Sequence, residues 1–445
     1  MMPAAEPPPI RHDDNEGDNP MISAFRPRRA FIASMFAALV ALPTAALAQE
    51  LTMWSHWAAE VAKRAYVEDA IKRFEASKPG VKVKITWYEK SALYAALKTA
   101  LRAGQAPDVF YAEVDQTDYI DNNLLADLST GVNWNNVEPW AKQAWTFGKG
   151  TYGFPLEAST VEVYYNTKLM ADLGVTVPAN GQFDQAAFLD LVKKARAKGI
   201  TPMSQGVGDR PFPGAYVTHE ALLKKLGMND YDALMKGKLS WSDPRVVETL
   251  TWVKQLVDAG AFPTSFTSLK LGESHIYFHT NPGALMFQVA SWYTARAFNP
   301  PDKGGQPVNF PLGIMQSPAM NGGACNNCKS LAVGGSYVVN AASPRKDLGI
   351  AFLNSFATPE MGNKWLENVL VQTGIKTDAS KIAGPHAGYF KQLAKANESN
   401  TYYFGTPVQV MQGKPKEVFT QVVNSALPAG SISVDDVVKQ MNAAK

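Results

Sequence analysis

Pro79-Gly80-Val81-Lys82-Val83-Lys84-Ile85-Thr86-Trp87 reads as a turn feeding a strand, because apolar side chains at 81, 83, 85 and 87 alternate with Lys82, Lys84 and Thr86. That is the period of a half-buried β-strand. On its N-terminal side an amphipathic helix is predicted from about Ala59 to Ser77, with Val61, Ala65, Ile71 and Phe74 near helical spacing. Pro79-Gly80 stops that helix. Before it, Leu51-Thr52-Met53-Trp54 is a short apolar strand. Beyond Trp87 a second helix is predicted from Ser91 to Ala103, and Pro107-Asp108-Val109-Phe110-Tyr111 reads as a third strand. Strand, helix, strand, helix, strand predicts an α/β lobe on a largely parallel sheet. Ligands of such sheets gather beyond the carboxyl ends of the strands. This singles out Ser55, His56 and Trp57 after the first strand, then Glu113 and Asp115 after the third.

Upstream of this lobe, Arg26, Arg28 and Arg29 precede the apolar run Ala30 to Leu42, interrupted only by Ser34, and the small-residue exit Ala46-Leu47-Ala48. That order predicts a secretory signal peptide cleaved after Ala48, with Gln49 as the mature N-terminus. The apolar run is too short to span a bilayer, and no cysteine follows it for a lipid anchor. Arg28-Arg29 leaves the twin-arginine and general export routes both open. The polar, proline-rich stretch Met1 to Pro20, which has no place in a signal and precedes Met21, is read as an N-terminal extension from an upstream mis-called start.

From Gln49 to Lys445 the chain exceeds the ~250 to 300 residues at which one core stops growing, so two lobes are expected. In this part 39 basic residues face 35 acidic ones, a formal charge near +4. That balance is too mild for a nucleic-acid or anionic-membrane partner. The two cysteines, Cys325 and Cys328, sit in a Gly- and Asn-rich loop without a second pair, and in an exported chain they are expected to form a local disulfide. Zinc would need two further ligands, and none lies at a recognisable spacing, so neither a metal nor a cofactor is expected.

Several phrases, in order, resemble one known family. They are Leu51-Thr52-Met53-Trp54, Phe74-Glu75-Ala76-Ser77-Lys78-Pro79-Gly80-Val81, Gly104-Gln105-Ala106-Pro107-Asp108-Val109 and Asn123-Leu124-Leu125-Ala126-Asp127-Leu128. Tyr152-Gly153-Phe154-Pro155, Tyr164-Tyr165-Asn166-Thr167-Lys168-Leu169, Gly283-Ala284-Leu285-Met286 leading to Ser291-Trp292, and Val339-Asn340-Ala341-Ala342-Ser343-Pro344 follow. Together they are similar to the family 1 extracellular solute-binding proteins, the sugar receptors of ABC importers, a family that includes maltose-binding protein. Two departures, Ala290-Ser291 before the cleft tryptophan and His279-Thr280-Asn281-Pro282 before Gly283, bear on the sugar rather than the fold.

The resemblance implies an α/β, two-lobed periplasmic-binding-protein fold of type II, with discontinuous lobes joined by hinge crossovers. Crossings are expected near Leu156 to Glu162, Leu331 to Gly334 and Gly384-Pro385. The lobes are then 49–158 with 335–385, and 159–334 with 386–445. It also implies a monomeric receptor that captures a carbohydrate by hinge closure and docks on a membrane permease.

A pyranose presents an apolar C–H face and a rim of hydroxyls, so its site needs aromatic platforms and directional polar groups. Trp292 matches the family's cleft tryptophan, and Tyr337, after Gly335, is the second platform; Tyr293 is a further candidate. His56, Trp57 and Tyr111 occupy positions where relatives place ligand contacts. Asp115 is the foremost polar candidate, since a carboxylate accepts charge-assisted hydrogen bonds from hydroxyls. Glu113, Glu157 and Ser159 complete the set. Other classes fit fewer residues. A secreted glycosidase would set two of Glu113, Asp115 and Glu157 about a scissile bond, but no G-x-S-x-G or H-E-x-x-H motif accompanies them. An iron receptor would use Tyr164-Tyr165 or Tyr402-Tyr403, and a sugar-phosphate receptor would need an arginine cluster that the sequence lacks.

Overall fold

The computed structural model describes residues 49–209, 216–280, 284–377, 381 and 384–444. The predicted signal peptide and its cleavage site, and the Asn281-Pro282-Gly283 part of the tryptophan motif, lie outside the described residues.

The opening of the chain folds as its periodicity dictates. Strand β1 (Gln49–Ser55) leads through a short turn of helix to α1 (Val61–Ser77), then β2 (Val81–Trp87), α2 (Lys90–Arg102) and β3 (Val109–Ala112). Gly80 turns the chain from α1 into β2 with φ of 87°, a left-handed conformation that a side chain would strain. β1 pairs in parallel with both β2 and β3. The stripe that α1 buries includes the predicted Ile71 and Phe74 and corrects the prediction at Val61 and Ala65. Tyr66, Val67, Ala70, Ile71 and Phe74 face the core, whereas Val61 and Ala65 face outward. The buried set keeps the i, i+4, i+8 rhythm of one helix face, rotated from the predicted one because Tyr66 and Ala70 carry the contact.

A small hairpin, β4 (Thr146–Phe147) and β5 (Gly150–Thr151), precedes β6 (Phe154–Pro155). The chain then enters a second sheet through β7 (Ala158–Asn166), β8 (Thr201–Met203), β9 (Ala284–Ala290), β10 (Leu312–Met315) and β11 (Cys328–Val333). It returns to the first through β12 (Ser336–Val339) and reaches the second again in β13 (Thr401–Phe404). The first sheet has the order β2-β1-β3-β12-β6. The second runs β13-β11-β7-β9-β8, with β10 also paired to β7. Each sheet has its own hydrophobic core, one around Phe110, Trp57 and Trp365, the other around Phe188, Leu222 and Leu250.

Two crossing segments meet between the sheets. Leu156 N and Glu157 N donate to Gly335 O at 3.1 and 2.9 Å, and Gly334 N donates to Glu157 O at 2.9 Å. Ala158 N donates to Gln372 O at 2.9 Å, bringing in a third segment. Ile375 still pairs with Val137 of the first lobe, while Tyr389 bonds Tyr164 of the second. Cys325 and Cys328 are joined, with S–S 2.02 Å, immediately before and at the start of β11. Among the described residues no helix is long and apolar enough to cross a membrane.

Buried ionisable groups in the second lobe make its stability depend on pH. His219, on the helix Tyr216–Met235, is buried with Nε2 3.0 Å from Asn424 Oδ1. Burial holds its imidazole down to about 4, with the Asn424 contact pulling weakly upward. Below about pH 6.5 the unfolded chain takes up a proton that the folded lobe refuses, so stability falls as the pH drops from about 6.5 to about 4. For this one group the loss is roughly 3 kcal/mol. Denaturant titrations between neutral pH and pH 4 measure it, and His219→Gln should show a shallower decline; an equally steep one would refute the assignment.

Candidate functional site

The sheet order 2-1-3 puts a topological switch point between β1 and β3, and the loops beyond their carboxyl ends open into one crevice. A cavity of about 400 Å³ lies there, within the ~300 to 1,000 Å³ usual for small-molecule sites. The first lobe contributes His56, Glu60, Lys63, Lys90, Tyr94, Tyr111, Glu113 and Asp115 to its lining. Glu157 and Val333 to Gly335 come from the crossing segments, and Ser159, Tyr216, Leu271, Trp292, Arg296, Thr406 and Lys416 from the second lobe.

Eight of the residues predicted from sequence therefore meet: His56, Tyr111, Glu113, Asp115, Glu157, Ser159, Trp292 and Gly335. Three do not line the cavity. Trp57 and Tyr337 are fully buried in the first core, their ring centroids 5.4 Å apart, and Tyr337 Oη lies 2.8 Å from Ser55 Oγ. Tyr293 is fully buried beneath the second sheet, with Oη 2.9 Å from His279 Nδ1. Each sits one or two positions from a cleft residue yet packs into a core. The tyrosine pairs considered for iron are also elsewhere: Tyr164 Oη bonds Tyr389 Oη at 3.0 Å, and Tyr403 Oη donates to Asp232 at 3.0 Å.

Gly335 is in the lining because nothing larger fits. A Cβ there would stand 2.4 Å from Trp57 Cζ2 and 3.2 Å from both Glu157 Oε2 and Tyr111 Cε2. The buried indole thus presses the crossing segment against the cleft floor. Trp292 is half-buried, packs against both lobes, and stacks on His275 with centroids 5.7 Å apart and planes at 20°.

The cations of the site are what sequence reading misses. Lys63 Nζ lies 2.8 Å from Glu60 and 2.6 Å from Glu157, both pairs nearly buried. Burial opposes its charge, but Glu157 and Glu60 together raise its pKa. Burial pushes Glu157 above the usual carboxylate range, the Lys63 ammonium pulls against that, and Glu60 adds to the rise. Glu60 itself is held at about 2, because Lys63, His56 and Arg296 outweigh its burial. Lys90 pairs with Glu113, which also accepts from Tyr111 Oη at 2.7 Å. These contacts overcome burial and hold Glu113 at about 2. Asp115 is different: burial and the nearby Glu113 charge raise it, and Lys416 at 3.4 Å only partly compensates. His56 is depressed to about 3, chiefly by burial, so it presents a neutral imidazole with one donor and one acceptor. The i, i+3 spacing of Glu60 and Lys63 is the available clue, but it reads equally well as a solvated helix face.

A second cavity of about 540 Å³ lies among Trp140, Leu331, Gln372, Phe390 and neighbouring residues. It contains none of the predicted ligand residues.

The family described as "Bacterial extracellular solute-binding protein" matches residues 58–363. Over 226 residues the chain is 25% identical to YcjN of Escherichia coli (strain K12), covering 47% of this chain and 49% of that one. It is 26% identical over 143 residues to the multiple sugar-binding protein of Streptococcus mutans serotype c (strain ATCC 700610 / UA159), 32% of this chain and 33% of that one. The chain thus spans half or less of the length of these curated relatives. Among solved structures, a chitin oligosaccharide binding protein superposes with a TM-score of 0.75 at 19% identity, covering 88% of this chain and 97% of that one.

Proposed function

The chain belongs to the bacterial extracellular solute-binding protein family, and on that premise we propose that it is the carbohydrate receptor of an ABC importer. The observation that carries this reading is the cleft itself: Trp292, Tyr94, Tyr111 and Tyr216 offer ring faces and hydroxyls beside four carboxylates and a neutral imidazole. Ring faces suit the C–H face of a sugar, and carboxylates suit its hydroxyls. The multiple sugar-binding protein and the chitin oligosaccharide binding protein carry sugar ligands in their names, which supports the same class. We assign 49–158 with 335–385 to one lobe and 159–334 with 386–445 to the other. Solute bound to one lobe then gains the contacts of the second on closure, and the closed form docks on the permease. Export by the signal peptide, cleavage after Ala48, a periplasmic location and a monomeric state belong to the same proposal.

No catalysis is assigned. Glu157 and Glu113 resemble an acid and base pair in having carboxyls shifted in opposite directions, but Lys63 grips one and Lys90 the other. Such pairing holds charge in place rather than delivering a proton to a leaving group.

A thermal-shift screen of the mature protein against mono-, di- and oligosaccharides tests the reading. A sugar at about 100 times its Kd should add about 2.7 kcal/mol of stability. Trp292→Ala should then weaken that sugar about 5- to 150-fold, the worth of one aromatic stacking contact. A panel in which no sugar raises the melting temperature, while a sugar phosphate or ferric ion does, would overturn the carbohydrate assignment.

A further inference from the structure

The two walls of the cleft carry opposite charge. Among the described residues lining it, Glu60, Glu113, Asp115 and Glu157 face the cavity from the first lobe and the crossing, with only Lys63 and Lys90 to balance them. Four carboxylates against two lysines leave that wall two negative charges in excess. The second-lobe wall has no carboxylate among those residues but carries Arg296 and Lys416. These cations reach across. Lys416, on the helix Gly413–Gln421 packed into the second core, lies 3.4 Å from Asp115. Arg296, on the turn of helix after β9, lies 3.6 Å from Glu60. Each pair joins a loop of one lobe to a helix of the other.

From this we propose that Arg296 and Lys416 are positioning residues for closure: they latch the lobes directly, through Glu60 and Asp115, so that the open-to-closed balance of the receptor depends on ionic strength even without solute. The inference takes from the preceding reading only that the lobes open and close. Its physical basis is the unequal surroundings of the charges. Lys63 and Lys90 are each committed to carboxylates of their own wall, whereas the Asp115–Lys416 and Glu60–Arg296 pairs exist only while the walls are close. Partly exposed pairs of this kind shift an equilibrium by up to about 5-fold each, and two acting on the same motion shift it by up to about 25-fold. Open and closed states of such proteins differ by amounts that a factor of this size redistributes.

Small-angle X-ray scattering of the mature protein, dialysed free of co-purified solute, reads the balance directly. Between about 0.01 M and 1 M NaCl the screening length falls from about 30 Å to about 3 Å, and the wild-type radius of gyration should rise as the latch is screened. Arg296→Gln with Lys416→Gln should already have the larger radius at low salt and no response to added salt. Lys416→Arg should keep the wild-type response, and Asp115→Lys with Lys416→Asp should restore what either single reversal removes. A wild-type radius independent of salt overturns the proposal without recourse to any variant. So does a double glutamine variant that keeps the wild-type radius and response. Because no sugar enters the measurement, its failure would leave the carbohydrate reading standing, and failure of the sugar screen would leave the latch standing.

Discussion

Lys63→Met should cost about 3 to 5 kcal/mol of folding stability, the penalty for leaving buried charge without its partner. The side chain is 4% exposed and serves two carboxylates, Glu60 at 2.8 Å and Glu157 at 2.6 Å. Methionine keeps the volume and removes only the ammonium, so packing cannot account for the loss. The sign with pH separates this from a simple cavity. Without Lys63, Glu157 loses the cation that opposes its already raised pKa, so its carboxyl takes up a proton more readily than in the wild type. The gap between variant and wild type should consequently narrow as the pH is lowered from 8 to 5, where protonation relieves the unpaired charge. Denaturant titrations across that range measure it. A variant as stable as wild type, or a gap that widens on acidification, would show that Lys63 does not hold the floor of the cleft.

Trp57→Ala is expected to be comparably severe, about 3 to 5 kcal/mol, as for other large aromatics removed from a packed interior. The indole is fully buried, with ring centroids of Tyr111, Tyr337 and Trp365 at 5.8, 5.4 and 5.7 Å. Its loss should also release Tyr111 and the segment at Gly335, which it presses from beneath, so sugar affinity should fall along with stability. Trp292→Ala should separate the two effects by losing affinity with a much smaller change in ligand-free melting. Gly335→Ala supplies a check on geometry. Its Cβ would meet Trp57 Cζ2 at 2.4 Å, an overpacking worth about 1 to 3 kcal/mol, and the methyl should be better tolerated beside a smaller residue at 57. Additive losses in the double variant would mean that the two residues do not share that space.

How much of the fold and cleft is legible in the chain depends on which property each residue expresses locally. The β2 alternation and the turn at Gly80 are written in nearest neighbours, and the loops after β1 and β3 follow from strand order, so His56, Glu113 and Asp115 can be placed from sequence alone. Tyr293 and Tyr337 read as ligand contacts because aromatic rings suit sugars, and Trp57 because it follows β1 at a position where relatives place contacts. Whether a ring lines the cleft or fills a core, however, is decided by packing partners far away in sequence, as Trp57, Tyr293 and Tyr337 are all fully buried. The predicted stripe on α1 holds at Ile71 and Phe74 but fails in the first turns, where Val61 and Ala65 are apolar yet exposed and Tyr66 and Ala70 face the core. Lys90, Arg296 and Lys416 carry no sequence signal as site residues, and Lys63 only the ambiguous i, i+3 spacing from Glu60. A cation on a helix resembles a solvated face until its partner is known, and Lys416 lies 301 residues from Asp115.

The place of β12 also governs the order in which the molecule can be completed. It lies between β3 and β6 in the first sheet, with Val339 paired to Val109 and Tyr337 to Phe154. Until that strand exists, the edge of β3 has no neighbour and β6 has nothing to join. A ribosome must therefore build β7 to β11 of the second sheet before the first can close. The strands that are made first thus wait for a partner that is made after five strands of the other sheet.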